Sequence, residues 1–328
     1  MVTASAPGKV YLFGEHAVVY GEPAVPCAVE RRATVTVEER TDGRLRVDAR
    51  DLEIEGFTVE YGAATDELGV EVPTELLEAA TEYVDGAVEQ ARDACDVPDA
   101  GFDVTVESEI PLGAGLGSSA AVVVATIAAT AAELGVELDP REIADRAYQV
   151  ESDVQDGQAS RADTFCSAMG GAVRVEGDDC RTLDAPDLPF VIGFDGGSGN
   201  TGELVAGVRD LRERYDFAAD TVTAIGDIVR RGEAVLTEAD PSLDELGRLM
   251  DFDHGLLEAL GVSSRSLDEM VWTAREAGAY GAKLTGAGGG GCIVALDDSA
   301  ATETALSYSQ SCEVAFRAEL ARDGVVVS

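Results

Sequence analysis

One glycine-rich segment constrains this chain more than any other. Residues 111–120 read PLGAGLGSSA, between a predicted strand from Phe102 to Glu107 and a predicted helix from Ala120 to Leu134. Glycines let backbone N–H groups approach a ligand closely and adopt conformations that other residues resist. The helix N-terminus that follows adds free N–H donors and a positive potential. We therefore predict an anion cradle suited to a polyphosphate.

Two hydroxyls at the end of this segment, on Ser118 and Ser119, could cap the helix or reach a magnesium ion. An ordinary turn with a helix cap is the simpler alternative. Three alternating glycines followed by two serines make that alternative the less favoured one. The segment is not a Walker loop, which needs a Lys after its final glycine.

A second glycine loop runs from Lys283 to Cys292 and reads KLTGAGGGGC. Gly286, Gly288 and Gly291 satisfy the GxGxxG pattern, but a dinucleotide site needs a helix after the glycines. A predicted strand, Cys292 to Leu296, follows here, so we reject a dinucleotide site. Protein-kinase signatures are absent as well, since the sequence contains neither DFG nor HRD.

A third segment, Ser5 to Gly21, reads SAPGKVYLFGEHAVVYG and places a cation, an acid and a histidine in one short apolar stretch. Glu15 and His16 would be unusual in a plain core strand. A lone histidine is more often structural than functional. Beside Lys9 and Glu15, in a chain with only 2 His, a functional role is favoured.

The charge balance is strongly acidic, with 63 Asp and Glu against 24 Lys and Arg and a net charge of -39. The acids are spread between apolar positions, as on the surface of a folded protein. Such a chain repels itself unless salt screens it, and at about 1 M salt the Debye length is roughly 3 Å. We therefore predict a halophilic protein from a very salty cytoplasm. No basic stripe is present for nucleic acid.

Only two of the basic residues are lysines, Lys9 and Lys283, and both fall in the glycine-bearing segments. A lysine that survives where lysine is avoided is expected to have a specific role. The 6 Cys are scattered without a CxxC pair, so we expect reduced thiols and no zinc site. We see no secretory signal and no stretch long enough for a membrane span. These features predict a cytoplasmic protein.

Mixed strands and helices without strict alternation predict an α+β fold. A helix is predicted from Pro73 to about Cys95, and short β-like runs precede it, the last at Phe57 to Tyr61. Asp139 followed by Pro140 is typical of a helix start. An acidic, proline-containing stretch from Asp178 to Pro189 suggests a domain boundary.

Together the three segments resemble, in residues, order and spacing, the three signature motifs of the GHMP kinases, and the resemblance covers essentially the whole chain. Within that superfamily the chain is most similar to the mevalonate kinase branch. The string GEHAVV from Gly14 is similar to the substrate-side segment of that branch. Asn200 to Arg209 and Leu256 to Val262 are similar to further segments, and Ala159 to Gly171 resembles the stretch that holds the catalytic Asp.

The resemblance implies a two-domain fold: residues 1–185 with a left-handed βαβ unit, and 186–328 with a ferredoxin-like arrangement. It implies ATP-dependent phosphorylation of the 5-hydroxyl of mevalonate with Mg²⁺, and no nucleic-acid or membrane partner. Asp163 and Lys9 would be catalytic, and Ser119 and Glu151 would bind the metal. The resemblance assigns ATP to Pro111, Leu112, Gly113, Ala114, Gly115, Leu116, Gly117, Ser118 and Ser119, and the substrate to Glu15, His16, Thr201, Gly286 and Ala287.

Two departures from the family pattern stand out. The spacing from Glu151 to Gly157 is one residue longer, which makes Asp153 a second metal candidate. Basic residues that relatives carry before Asn200 are replaced by Gly197, Ser198 and Gly199. Homoserine, shikimate or phosphomevalonate kinase activity, a related decarboxylase activity, a catalytically silent nucleotide sensor and a homodimer all stay open.

Overall fold

The computed structural model of the protein describes residues 1–50, 57–60, 74–111, 113–155, 157, 159–197 and 199–328. In this part of the chain the strands form two sheets, one of 8 strands and one of 4. Helices pack on both sheets, which confirms the predicted α+β class with two structural halves. The predicted element ends at Tyr61 and Pro73 lie outside the described residues.

The first sheet has the order β12-β1-β2-β5-β3-β4, and a hairpin of β6 and β7 pairs with β2. Its strands are β1 (Val2–Phe13), β2 (Val25–Arg40), β3 (Leu45–Arg50), β4 (Phe57–Glu60), β5 (Gly101–Ser108), β6 (Ala172–Glu176), β7 (Asp179–Leu183) and β12 (Val326–Val327). Apolar and polar residues alternate along β5, and its apolar side chains Phe102, Val104 and Val106 are buried as predicted.

Within the described ranges, four α-helices belong to this half: α1 (Thr74–Ala94), α2 (Ser118–Glu133), α3 (Pro140–Val154) and α4 (Arg161–Met169). Strands β3 and β5 pair in parallel, with β4 and α1 between them in sequence. Helix α2 packs against α1, β1 and β2, because its small apolar side chains let it sit deep in the core. Its N-terminus is thereby held beside β1.

Local sequence signals mark the end of α2 and the predicted start of α3. Gly135 follows α2 with φ 80°, where a residue without a Cβ is favoured. The Asp139 carboxylate accepts from the backbone N–H of Arg141 at 2.8 Å and so caps α3.

The second sheet has the order β11-β8-β10-β9 with antiparallel neighbours, which is the predicted ferredoxin-like arrangement. Its strands are β8 (Phe190–Phe194), β9 (Gly281–Thr285), β10 (Cys292–Leu296) and β11 (Val314–Ala318). The helices of this half are α5 (Thr201–Arg214), α6 (Asp216–Leu236), α7 (Leu243–Ala259), α8 (Arg265–Glu276) and α9 (Ala301–Ser307). The halves meet where α6, α7, β9 and β10 contact β1.

Some elements were not predicted from the sequence. Helix α4 and strand β9 were missed. Because β9 pairs with β10, the second glycine loop connects the two strands of a hairpin and does not only precede a strand. Strand β12 returns to β1, with Ala4 paired to Val327, so the last residues join the first sheet. No helix in the described ranges is long and apolar enough to span a membrane.

Candidate active site

The first glycine loop lies at the N-terminus of α2, as the sequence predicts. Gly113, Gly115 and Gly117 have φ values of 67°, 79° and 72°, which L-residues rarely adopt. The hydroxyl of Ser118 is buried and has no hydrogen-bond partner among the described residues. A helix start with glycines and an unused hydroxyl suits an anionic ligand. Leu112 lies outside the described residues.

The two glycine loops contact each other. A Cβ on Gly115 would lie 2.8 Å from the carbonyl oxygen of Thr285, and one on Gly286 would lie 2.7 Å from the Cα of Gly115. A Cβ on Gly117 would lie 2.9 Å from Cγ of Lys9. The close contacts between the loops and with Lys9 therefore require glycine at these positions.

Lys9 and Asp163 lie side by side beside the first loop. The Nζ of Lys9 is 3.1 Å from Oδ2 of Asp163 and donates to the Gly115 carbonyl at 3.0 Å. Lys9 is buried, whereas the Asp163 side chain keeps 28% of its exposure. Asp163 is in the first turn of α4, which Ser160 caps by accepting from Ala162 N. A charged amine and a partly open carboxylate thus meet where the loop ends.

Ser119 and Glu151 form a second pair at the same loop. The Ser119 hydroxyl donates to Oε1 of Glu151 at 3.0 Å, and Glu151 is buried. Burial, together with the nearby charge of Asp163, raises the pKa of Glu151 to about 8. The second metal candidate, Asp153, is exposed on the same helix. Of the two carboxylates, that of Glu151 is therefore the one in contact with the loop.

Glu15 is buried away from solvent and paired with the other lysine. Its Oε1 accepts from Nζ of Lys283, which also lies 3.5 Å from Oδ2 of Asp253. All three side chains are almost fully buried. Burial raises the pKa of Glu15 to about 8 and also raises the pKa of Asp253. Glu15, a predicted substrate residue, therefore has its carboxylate in an interior ion cluster between the halves.

His16 and Thr201, two other predicted substrate contacts, differ in their surroundings. His16 has a positive φ of 59°, and its Nε2 is 2.8 Å from the carbonyl oxygen of Ala287 in the second loop. Burial lowers the pKa of His16, which favours the neutral ring. Its Nδ1 is buried without a described partner. Thr201 is exposed at the start of α5, which Asn200 caps by accepting from Glu203 N at 3.2 Å.

Sequence reasoning missed two residues in this region. Asp195 links the segment before α5 to the second glycine loop, because its Oδ1 accepts from Gly197 N at 2.9 Å and from Gly291 N at 2.8 Å. Tyr11 donates from its hydroxyl to Oδ1 of Asp163 at 2.7 Å. Its spacing from Lys9 in a strand was the available signal, since side chains two apart share a face. Ser198, in the glycine stretch before Asn200, lies outside the described residues.

Models of known protein families match three ranges of this chain. Residues 82–171 match the family model described as GHMP kinases N terminal domain, and 233–312 match GHMP kinases C terminal. Residues 2–39 match a galactokinase galactose-binding signature. The last of these covers the strand and turn that carry Lys9 and Glu15.

Curated relatives cover nearly the whole chain. The mevalonate kinase of Thermococcus onnurineus is 44% identical over 94% of this chain and 92% of the relative. That of Pyrococcus furiosus is 40% identical over 99% and 98%. The crystal structure of the Methanococcus jannaschii mevalonate kinase matches with a TM-score of 0.80 at 27% identity, covering 97% of this chain and 98% of that one. The chain therefore belongs to the GHMP kinases, and within them to the mevalonate kinase family.

Proposed function

We propose that the protein transfers the terminal phosphoryl group of ATP to the 5-hydroxyl of mevalonate, giving 5-phosphomevalonate for isoprenoid precursor synthesis. The observation that carries the proposal is the Lys9–Asp163 pair at the end of the glycine loop, 3.1 Å apart. Phosphoryl transfer requires positioning and charge neutralisation rather than covalent chemistry from the protein. A fixed ammonium and a partly open carboxylate beside an anion cradle supply both.

In the proposed mechanism, the backbone of Gly113 to Ser119 binds the ATP phosphates. Asp163 orients the hydroxyl of mevalonate and accepts its proton as the oxygen bonds to the γ-phosphorus and ADP leaves. Lys9 stabilises the negative charge on the transferring group and holds the carboxylate in place. Because Lys9 also donates to the loop carbonyl of Gly115, the amine stays fixed relative to the phosphates. An already ordered amine costs little reorganisation during the transfer.

The residues present fit a magnesium ion, which the family implies. Ser119 and Glu151 offer a hydroxyl and a carboxylate, hard oxygen donors of the kind that Mg²⁺ prefers. Glu151 is buried, with the hydroxyl of Ser119 as its hydrogen-bond donor, so a cation would compensate its buried charge. Ser119 and Glu151 would therefore hold the ion. Bound magnesium neutralises charge on the phosphates.

We predict that Glu151→Gln raises the magnesium concentration needed for half-maximal rate at least tenfold, because a neutral amide is a weaker ligand than a carboxylate. The KM for mevalonate should change little. Activity is measured against magnesium at saturating ATP. Glu142→Gln, on the same helix but in a surface pair with Arg146, is the control. An unchanged magnesium requirement in Glu151→Gln would remove Glu151 from the metal site.

We assign the ATP side of the reaction to residues 1–185 and the completion of the substrate site to residues 186–328. His16 supports the assignment, because it joins the first half to Ala287 in the second glycine loop. Ala287 and Gly286 would line the pocket for mevalonate. Thr201, exposed at the start of α5, is free to contact the same ligand. We assign Glu15 to holding this junction, since Lys283 and Asp253 surround its carboxylate.

We propose that the protein works in a cytoplasm with molar salt. Its two lysines are both buried, and the net charge is -39. We predict that lowering KCl from several molar to about 0.1 M unfolds the chain. The Debye length then grows from about 3 Å or less to roughly 10 Å, so the acidic side chains repel one another over a longer distance. Circular dichroism follows the loss. Sucrose at matched osmolarity should not replace the salt, and a fold unchanged in dilute KCl would contradict the prediction.

A substrate panel in molar KCl, read by ADP release, tests the function. Mevalonate should be turned over with ATP, and homoserine, shikimate, phosphomevalonate and galactose should not. Galactose is included because residues 2–39 match a galactokinase signature. A further assay supplies a diphosphorylated derivative of mevalonate. Release of carbon dioxide from that derivative would instead indicate the decarboxylase. Absence of turnover with every substrate, despite bound ATP, would favour the silent sensor.

A further inference from the structure

Two donors hold the carboxylate of Asp163, one on each oxygen. Lys9 lies 3.1 Å from Oδ2, and the hydroxyl of Tyr11 donates to Oδ1 at 2.7 Å. Two contacts on separate oxygens fix the rotation of the carboxylate as well as its position, which one contact cannot do. The partly exposed edge of the carboxylate is then the part that can meet a substrate hydroxyl.

Tyr11 is itself fixed in place. Its backbone N–H donates to Oγ1 of Thr285 at 2.8 Å, next to the second glycine loop. Nζ of Lys9 lies 4.4 Å from the centroid of its ring, within the range of a cation–π contact. Its side chain is buried, so the ring has little freedom to turn away. Tyr11 thereby joins the second half of the protein, through its backbone, to α4 in the first half, through its hydroxyl.

The Tyr11 hydroxyl also stays a donor across the working pH range. Burial and the charge of Asp163 raise the pKa of Tyr11 well above its ordinary value. The neighbouring charge of Glu15 acts in the same direction. A neutral phenol can donate to a carboxylate, whereas a phenolate would repel it. The bond to Asp163 is therefore compatible with a permanently neutral Tyr11.

We infer that Tyr11 is a positioning residue for the phosphoryl transfer, holding the Asp163 carboxylate in the orientation that receives the substrate hydroxyl. The inference rests on the proposed function, because it assigns Asp163 to the reaction. This positioning role differs from a packing role, because the contribution to the transfer rate comes from the hydroxyl and not from the ring. Removing the hydroxyl should therefore affect the transfer step more than the binding of either substrate.

The first test is Tyr11→Phe, which keeps the ring and removes one donor. We expect kcat to fall roughly 10- to 100-fold, the usual cost of a lost hydrogen bond to a charged group in an ordered site. KM for ATP and mevalonate should stay within about threefold. Tyr280→Phe is the matched control, because Tyr280 donates to Asp298 at 3.1 Å, at the opposite end of β9 from the second glycine loop. A kcat for Tyr11→Phe within threefold of wild type would overturn the inference.

A double-mutant cycle with Asp163→Ala decides how Tyr11 acts. If Tyr11 works through Asp163, adding Tyr11→Phe to Asp163→Ala should change the residual single-turnover rate by less than about twofold. A further tenfold loss in that background would mean that Tyr11 acts on the substrate itself, and the inference would be wrong. A raised KM with unchanged kcat would equally overturn it.

Replacement of Tyr11 by p-aminophenylalanine covers the case in which Tyr11→Phe folds poorly. The amino group places an N–H donor where the hydroxyl stood, so kcat should recover most of its wild-type value. Failure of this variant to exceed Tyr11→Phe in kcat would sink the inference. The assays use whichever panel substrate the wild-type protein phosphorylates, so a wrong substrate assignment appears in the wild type and not in the Tyr11 variants.

Discussion

Asp163→Asn or Lys9→Met is expected to lower kcat by about three orders of magnitude while ATP still binds. Asn keeps the shape of Asp163 but cannot accept the proton of the substrate hydroxyl. Met fills the space of the Lys9 stem but leaves the Gly115 carbonyl and Oδ2 of Asp163 without their donor. Neither substitution changes a residue of the glycine loop or its helix N-terminus, so nucleotide affinity should persist. Kinetics in molar KCl and calorimetric titration with ATP measure the two quantities.

Asp187→Asn is the matched control for this prediction. Asp187 pairs with Arg322 at 2.6 Å on the surface, so the change removes one charge and one ion pair that includes no residue of the glycine loops. Its kcat should equal that of the wild type. Near-normal turnover in Asp163→Asn or Lys9→Met would remove the residue concerned from the chemistry. Loss of ATP binding together with activity would instead point to a collapsed loop.

Lys283→Met is expected to have the largest effect on stability. Lys283 is buried between the carboxylates of Glu15 and Asp253. Replacing it by Met leaves both acids in the interior without the positive charge that Lys283 supplies. Removing one partner of a buried ion pair typically costs about 3–5 kcal/mol of unfolding free energy. Urea unfolding at fixed KCl measures the loss. Arg230→Met, which breaks partly exposed pairs with Glu22, Glu176 and Asp227, should cost less, about 1 kcal/mol.

The loss in Lys283→Met should depend on pH in a defined direction. The pKa of Glu15 is raised from its ordinary 4.5 to about 8, so the folded state holds this proton more tightly than the unfolded state. Stability from this group is therefore present at low pH and is lost as pH rises from 4.5 to 8. Without the cation, ionised Glu15 is less favourable still, so the variant should be weakest near pH 8.

A compensated variant separates charge from packing. Adding Glu15→Gln and Asp253→Asn to Lys283→Met removes both stranded charges, and part of the lost stability should return. The predicted mechanism fails if the triple variant is no more stable than the single one. Equal stability of Lys283→Met at pH 5 and pH 8 would contradict the role of carboxylate ionisation.

Local patterns in the sequence predicted much of the fold. The strand Cys292–Leu296 was predicted at its observed ends, because it is a short apolar run that follows a glycine loop. Helix α4 was missed, because Arg161–Met169 is short and mixes polar with apolar residues. Ser160, which precedes it, is a common helix N-cap residue and could have indicated where this helix begins.

Contacts between distant parts of the chain could not be predicted from patterns. Expecting Lys9 beside Asp163 depended on the resemblance to a family, since nothing in the spacing links them. Tyr11, 152 residues from Asp163 in sequence, could have been added from strand alternation once Lys9 was singled out. Lys283 drew attention through the rarity of lysine, yet its pairing with Glu15 depends on how the halves dock.

The pairing of β12 with β1 has a consequence for biosynthesis. Ser328 N donates to the carbonyl of Thr3 at 2.8 Å, and Thr3 N donates to that of Ser328 at 3.2 Å, so residues 3 and 328 lie together. The strand that carries Lys9 therefore lacks this outer neighbour until residues 326–327 have been synthesised and have left the ribosome. Joining the ends through a short peptide and opening the chain at an exposed turn should give a circular permutant that folds.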